Sequence, residues 1–181
     1  MNGPILFTEW LILRPPAAED FEPWCAFHAD EATMRFLGGV QPRSLAWRGL
    51  CGMLGAWQIR GFSMFSVIER ASGAWVGRIG PHRPEGWPGN EIAWGVLPAF
   101  AGKGYAFEAA VATLDFAFDV LGWDDAMHCI DPANAPSIAL ARRVGATNRG
   151  PTFLPPPIMV DHIDNWGQTA AEWRARRGSL R

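Results

Sequence analysis

Long apolar runs and paired cysteines are both missing from this chain of 181 residues. No stretch approaches the ~18 uninterrupted apolar residues of a membrane-spanning helix, and the opening MNGPILFTEW lacks a basic start followed by an apolar run. Three cysteines without CxxC spacing predict neither a disulfide framework nor a zinc site. We therefore expect an untargeted, soluble, cytoplasmic protein with no bound metal and no membrane partner.

An excess of either charge is absent as well. Sixteen basic residues against eighteen acidic ones leave a formal net charge of -2, which gives no general attraction to nucleic acid or to acidic membrane surfaces. No internal repeat organises the ten tryptophans, so core packing explains them better than a platform for stacking bases. The expected partner is a small molecule rather than a nucleic acid.

The chain does contain enough apolar material, 49% of its residues, for one domain spanning residues 1–181. Runs of β-prone residues predict strands at 11–14, 62–69, 75–80, 91–96, 126–130, near 147 and at 158–163. Helical periodicity predicts helices over 17–30, 44–60, 105–121, 138–144 and from 169 onward. In the second helix the predicted buried stripe is Trp47, Leu50, Cys51 and Leu54. This alternation predicts an α/β fold.

One segment, IAWGVLPAFAGKGYAFEAA from Ile92 to Ala110, combines a short strand, a turn with two glycines and an alanine-rich helix. Gly102 and Gly104 let the backbone approach a ligand closely. The first N–H groups of the following helix have no intrahelical partner, and such a helix start attracts anions. The segment therefore predicts a phosphate-binding loop.

The order of elements, the segment VLPAFAGKGYAFEA and the later NAPSIALARRVGA resemble the GCN5-related N-acetyltransferase (GNAT) superfamily. The segments TEWLILRPPAAEDFEPW, MRFLGG and NWGQTAAEWRARR are similar to its ribosomal-protein N-terminal acetyltransferases. The resemblance implies a mixed central sheet of about six to seven strands, flanked by helices and splayed between the fourth and fifth strands. Ala101 departs from the family pattern, in which Arg or Gln is common at that position.

The same resemblance implies that acetyl-CoA is bound and coenzyme A released, with no metal. The main chain from Trp94 through Gly95 to Val96 would pair with the pantetheine arm. The turn and helix start would hold the diphosphate through Gly102, Lys103, Gly104, Tyr105 and Ala106. Asn134 matches the family asparagine that contacts the cofactor, although its place before a helix equally suits an N-cap. Lys103 suits a solvated loop position equally well.

Direct acetyl transfer to an amine needs a base and, for the departing thiolate, an acid. The resemblance indicates Glu91 as the base, acting through a water; an exposed strand end is the alternative for this glutamate. Ala141 stands where many relatives place a tyrosine acid, so Ser137, a water or no specific acid takes that role. His128 and Cys129 are expected to be packed strand residues.

The expected acceptor is the N-terminus of a protein or peptide. A small amine, such as a polyamine, an amino acid or a drug, is the alternative acceptor, and a non-catalytic acyl-CoA-binding module is an alternative of another class. A nucleotide kinase fits poorly because the GxxxxGK[ST] motif is absent. The protein is expected to be a monomer or a homodimer.

Overall fold

The computed structural model describes residues 3–156, 158 and 162–180 of the chain. The strands are β1 Leu6–Phe7, β2 Leu11–Arg14, β3 Phe65–Glu69, β4 Trp75–His82, β5 Glu91–Val96, β6 Asp125–Ile130, β7 Thr147–Thr152 and β8 Ile163–Thr169. The helices are α1 Phe21–Ala29, α2 Glu31–Met34, α3 Arg43–Arg60, α4 Tyr105–Asp115, α5 Ala135–Val144 and α6 Ala170–Arg177.

All eight strands form one mixed sheet in the order β1-β2-β3-β4-β5-β6-β8-β7. Every neighbouring pair is antiparallel except β5 and β6, which are joined through α4 and run parallel. The predicted α/β fold with helices flanking a mixed sheet is confirmed. The described sheet has one strand more than predicted because the short β1 pairs with β2 at its edge.

Two layers of helices cover the sheet. One apolar cluster joins α4, α5 and α6 to β5 and β6, with Leu114, Val144 and Trp173 at its centre. The opposite cluster joins α1 and α3 through Trp24 and Leu50. Within the part of the chain that the structure describes, no helix is both long and apolar enough to cross a bilayer.

The sheet parts between β5 and β6. Their only registered pair among the described residues is Glu91 with Met127, at the start of β5. Beyond it the two strands are no longer paired, and β6 pairs along its length with β8 on its other side. The strands predicted as the fourth and fifth are β5 and β6 of the structure, so the predicted splay between them is present.

Two sequence predictions need correction. The buried residues of α3 are Ala46, Leu50 and Trp57, whereas Trp47 is 52% exposed. Cys51 is also exposed. Ala46, Leu50 and Trp57 lie on one face of the helix, and the face that carries Trp47 and Cys51 is turned toward solvent. The final strand lies at Ile163–Thr169 rather than at 158–163, of which residues 159–161 lie outside the described residues.

The last helix begins with a capping box. The Thr169 hydroxyl accepts from the Glu172 N–H, and the Glu172 carboxylate accepts from the Thr169 N–H. Because α6 is thereby fixed directly after β8, Trp173 is held in the core, where its indole donates to Asp115 at 2.9 Å.

Candidate active site

A cleft of about 560 Å³ opens where the end of β5 meets the starts of α4 and α5. It brings together most of the predicted site residues, namely Trp94, Gly95, Val96, Gly102, Gly104, Tyr105, Ala106, Asn134 and Ser137. Its further wall comes from α2 and the turn after it, through Ala32, Thr33, Phe36 and Leu37. Glu91 and Lys103 are not among the residues that line it.

The turn at one end of the cleft exposes bare backbone. Gly102 and Gly104 have φ of 76° and 85°, and a Cβ at either position would meet no atom within 4 Å. The helix α4 starts at Tyr105 without a side-chain cap, so its first N–H groups are free of intrahelical partners. Open space over several N–H donors suits a diphosphate.

Lys103 and Tyr105 both interact with Glu69, beside the turn. The Lys103 ammonium lies 3.6 Å from the Glu69 carboxylate and over the Phe100 ring. The Tyr105 hydroxyl donates to Glu69 at 2.6 Å, and this hydrogen bond raises the pKa of the phenol. The Tyr105 ring lines the cleft, while its hydroxyl is engaged with Glu69.

Asn134 caps α5. Its side-chain oxygen accepts from the Ser137 N–H at 3.3 Å, which is the structural role that the sequence offered as its alternative. The Ser137 hydroxyl oxygen accepts in turn from the Trp94 indole N–H at 3.2 Å. The cap therefore ties α5 to β5 at the cleft. Ala141 lies deeper in the core, against Ile130 and away from the cleft lining.

Glu91 is buried, with 4% of its surface exposed, which argues against the alternative of an exposed strand end. One carboxylate oxygen accepts from the Trp87 indole at 2.6 Å and the other from the Cys129 N–H at 2.9 Å. Burial raises its pKa to about 7, against the opposing effect of these hydrogen bonds and of the Arg78 charge. A carboxyl group with such a pKa can exchange a proton near neutral pH.

Side chains bridge the sheet where its backbone ladder stops. Glu91 accepts from the Cys129 N–H, and the His128 Nδ1–H donates to the Ile92 carbonyl at 2.6 Å. Burial lowers the pKa of His128 to about 4, which keeps its imidazole neutral. Burial and the nearby Glu91 raise the pKa of the Cys129 thiol, so it is a poor nucleophile. Both residues are packed, as expected from the sequence.

Glu91 belongs to a group of residues on one side of strands β4 and β5 that we call the polar face. Its polar members are Arg78, His82 and Glu91, and its small members are Gly80, Ala93 and Gly95. Register pairs Arg78 with Gly95, Gly80 with Ala93 and His82 with Glu91, and residues paired or two apart in this way share one side of a sheet. That side lies under α1, because a Cβ at Gly95 would meet the Phe27 ring at 2.6 Å.

Sequence reasoning did not identify Arg78, His82 or Trp87 as site residues. The alternation of Arg78, Gly80 and His82 along one strand was a usable signal that the three share a face. Their proximity to Glu91 depends on the register of β4 against β5, which the sequence does not specify.

A mixed sheet that parts between two parallel strands, beside a glycine turn at a helix start, defines the class of GNAT acyltransferase folds. The family described as the acetyltransferase (GNAT) domain matches residues 11–147. The chain belongs to this family, whose members use acetyl-CoA, and the predicted superfamily and enzyme class are confirmed.

Individual relatives agree with this assignment. An acetyltransferase of Agrobacterium tumefaciens is 30% identical with a TM-score of 0.81, over 93% of this chain and 95% of that chain. The uncharacterized N-acetyltransferase YnaD of Bacillus subtilis is 31% identical over 48% of this chain, and the match spans only 51% of YnaD. The uncharacterized N-acetyltransferase p20 of Bacillus licheniformis is 25% identical over 80% of this chain and 83% of that protein.

Proposed function

We propose that this protein transfers the acetyl group of acetyl-CoA directly to a primary α-amine, with Glu91 as the general base. The observation that carries the proposal is the combination of a cleft over the Gly102–Gly104 turn with a buried carboxyl group of pKa about 7 at the point where β5 and β6 part. The cleft suits an elongated thioester donor, and the carboxyl group suits removal of a proton from an amine.

The cofactor half of the site uses mainly backbone. The free N–H groups at the start of α4 bind the diphosphate, and the strand edge of β5 from Trp94 to Val96 pairs with the pantetheine arm. When bound, acetyl-CoA supplies an activated acyl carbon and a thiolate leaving group. Gly102 and Gly104 keep the approach to the N–H groups open, because neither carries a side chain that could block it. Lys103 adds a positive charge near the diphosphate from its position beside the turn.

The proton balance of the transfer assigns Glu91 its role. A bond forms between the amine nitrogen and the acyl carbon, the carbon–sulfur bond breaks, and the amine proton passes to Glu91 through a water. One lone-pair position on the Glu91 oxygens remains after the hydrogen bonds from the Trp87 indole, the Cys129 N–H and the Cys129 thiol. An α-amine with a pKa near ~8 needs less help from this base than a lysine near ~10.4.

Ser137 is our candidate for stabilising the departing thiolate. Its oxygen already accepts from the Trp94 indole, and among the described residues no acceptor engages its own hydroxyl hydrogen. The hydroxyl is therefore free to donate into the cleft that it lines. Ser137 would thereby take the role of the tyrosine acid that many relatives have at the position of Ala141.

Calorimetry with acetyl-CoA, followed by a thiol-release assay over a panel of peptides, amino acids and polyamines, tests the function. We expect binding of acetyl-CoA and release of coenzyme A only when an α-amine is present. Binding without release for any amine would favour the non-catalytic acyl-CoA-binding module. Both a peptide N-terminus, as in the ribosomal-protein subgroup that the sequence resembles, and a free amino acid present such an amine.

A further inference from the structure

Arg78 is a half-buried arginine for which the described residues provide no acid partner. Its Nε is buried and makes no hydrogen bond, and its Nη1 meets only the Met64 sulfur at 3.0 Å. The guanidinium lies 5.5 and 5.4 Å from the centres of the Trp24 and Phe27 rings. Among the described residues, no carboxylate oxygen comes within 4.0 Å of it.

Other arginines of the chain show how unusual this is. Arg14 forms two hydrogen bonds with the Asp20 carboxylate, at 2.8 and 2.7 Å. Arg177 donates to both oxygens of Asp115 at 2.9 Å. A charge that is removed from water is normally paired, because desolvation without a partner is costly. Arg78 therefore presents unused donors in a place where a bound anion would be stabilised.

Arg78 and Glu91 lie on the same side of the sheet. Both belong to the polar face, with only Gly80, Ala93 and Gly95 between them. The Arg78 charge acts on the pKa of Glu91, although the two groups are not an ion pair. Burial first and the Arg78 charge second lower the pKa of His82 to about 3, so this imidazole adds no further charge.

A second cavity, of about 220 Å³, opens beside His82 and extends the polar face toward α3. Its charged lining residues are Arg60, which forms an ion pair with Glu85 at 3.1 Å, and Arg83. Gly49 and Gly52 of α3 make room on the helix side. A volume of this size suits a small molecule, and the Arg83 charge is unfavourable for a polyamine.

We propose that the acceptor is a small amine that also carries a carboxylate, as a free amino acid does, and that Arg78 binds this carboxylate while the amine faces Glu91. The proposal rests on the acetyl transfer proposed above and narrows its acceptor. Arg78 also aids the chemistry, because pairing with the carboxylate removes a negative charge that would hold the amine in its protonated form.

The first test compares matched acceptors in the thiol-release assay. Each amino acid is measured beside its carboxamide, which keeps the side chain and the amine but removes the negative charge. The carboxamide has the less basic amine, so a preference for the acid reports binding of the carboxylate. We expect kcat/KM for the acid to exceed that for the carboxamide by about 10- to 100-fold, the range for a charge-assisted hydrogen-bonded pair.

The second test removes the proposed carboxylate site. We expect Arg78→Gln to raise KM for the acid about 10- to 100-fold more than KM for the carboxamide and to leave acetyl-CoA affinity nearly unchanged. Because the Arg78 charge lowers the pKa of Glu91, the acceptors are compared at about pH 9, where Glu91 is ionised in both proteins. Arg78→Lys should restore part of the preference. Arg48→Gln, which changes an exposed arginine on α3, is the matched control and should change none of these values. Thermal unfolding of each variant checks that it is folded.

The outcomes separate this inference from the function on which it rests. Release of coenzyme A with carboxamides, peptides or polyamines at rates equal to those with the acids would overturn the carboxylate site and leave acetyl transfer standing. Equal losses with acid and carboxamide in Arg78→Gln would also overturn it, as would a preference for phosphate-bearing amines over carboxylates. Absence of release with every amine would instead refute the transferase, and this inference with it.

Discussion

The two halves of the candidate site, one for the cofactor and one for the acceptor, differ in the groups that form them: mainly backbone in the first and polar side chains in the second. The cofactor half consists of strand edge, glycine turn and helix start, and it needs few specific side chains. The acceptor half consists of Arg78, His82 and Glu91, which three registered strand pairs align on one face of the sheet. A backbone site tolerates substitution at many positions, whereas the polar face depends on the charge of each member. The two halves should therefore respond differently to substitution and to pH.

The largest expected effect concerns Glu91. We expect Glu91→Gln to lower kcat about 100- to 10,000-fold, the usual contribution of a general base, with acetyl-CoA affinity nearly unchanged. In the unmodified protein kcat at saturating acceptor should fall below pH 7, because the carboxyl group, whose pKa is about 7, becomes protonated there. Steady-state kinetics between about pH 5 and pH 9 measure the rate. Calorimetry measures the affinity for acetyl-CoA.

An exposed carboxylate gives the control for this substitution. Glu9→Gln changes a surface side chain far in sequence from the site and should leave the profile intact. His82 and His128 do not account for the acidic limb, since burial lowers their pKa values to about 3 and about 4. An undiminished rate for Glu91→Gln at neutral pH would remove this residue from the mechanism. The site would then have no identified general base.

The same carboxyl group makes stability depend on pH. Its folded pKa of about 7 lies above its ordinary value of 4.5, so between these values the folded state holds a proton that the unfolded chain has lost. This contribution to stability is fully present below pH 4.5 and is lost as pH rises through 7. Glu91→Gln should therefore gain stability relative to the unmodified protein, by up to about 3 kcal/mol, as pH rises across that range.

Urea unfolding of both proteins at several pH values measures this difference, and subtraction cancels the titration of groups that the two proteins share. A difference that stays constant from pH 4.5 to pH 8 would show that Glu91 titrates at its ordinary value of 4.5. Burial would then not raise the pKa of Glu91 toward neutral pH, and the argument for Glu91 as a base that titrates near pH 7 would fail.

A valine in the glycine turn tests the cofactor half. We expect Gly104→Val to weaken acetyl-CoA binding about 10- to 100-fold, because a β-branched residue is strained at positive φ and its side chain enters the space over the N–H groups. Gly73→Val is the matched control: Gly73 has φ of 73° in the turn between β3 and β4, and its added Cβ also meets nothing within 4 Å. Calorimetry should show normal binding for this control despite a similar loss of stability.

The difference between the halves also explains what the sequence could predict. The segment from Ile92 to Ala110 specifies the cofactor half locally, since the strand, the turn and the helix follow one another in the chain. Glu91 could be placed at the start of that strand for the same reason. Its burial could not be predicted, because it depends on Trp87 in the preceding loop and on Cys129 across the parting of the sheet. Arg78 was missed since no local signal distinguishes it from a solvated strand arginine.

The smallest expected effect lies where the two halves meet, at Ser137. We expect Ser137→Ala to lower kcat by about 10-fold, because a hydrogen bond to the developing negative charge on the leaving sulfur contributes about 1.5 kcal/mol, the low end for a charged acceptor. The substitution also removes the acceptor of the Trp94 indole N–H, so acetyl-CoA affinity must be measured alongside. Ser137→Cys, which keeps a weaker donor in place, should give an intermediate rate. If Ser137→Ala changed affinity alone, Ser137 would belong to the cofactor half, and the thiolate would leave without a specific acid.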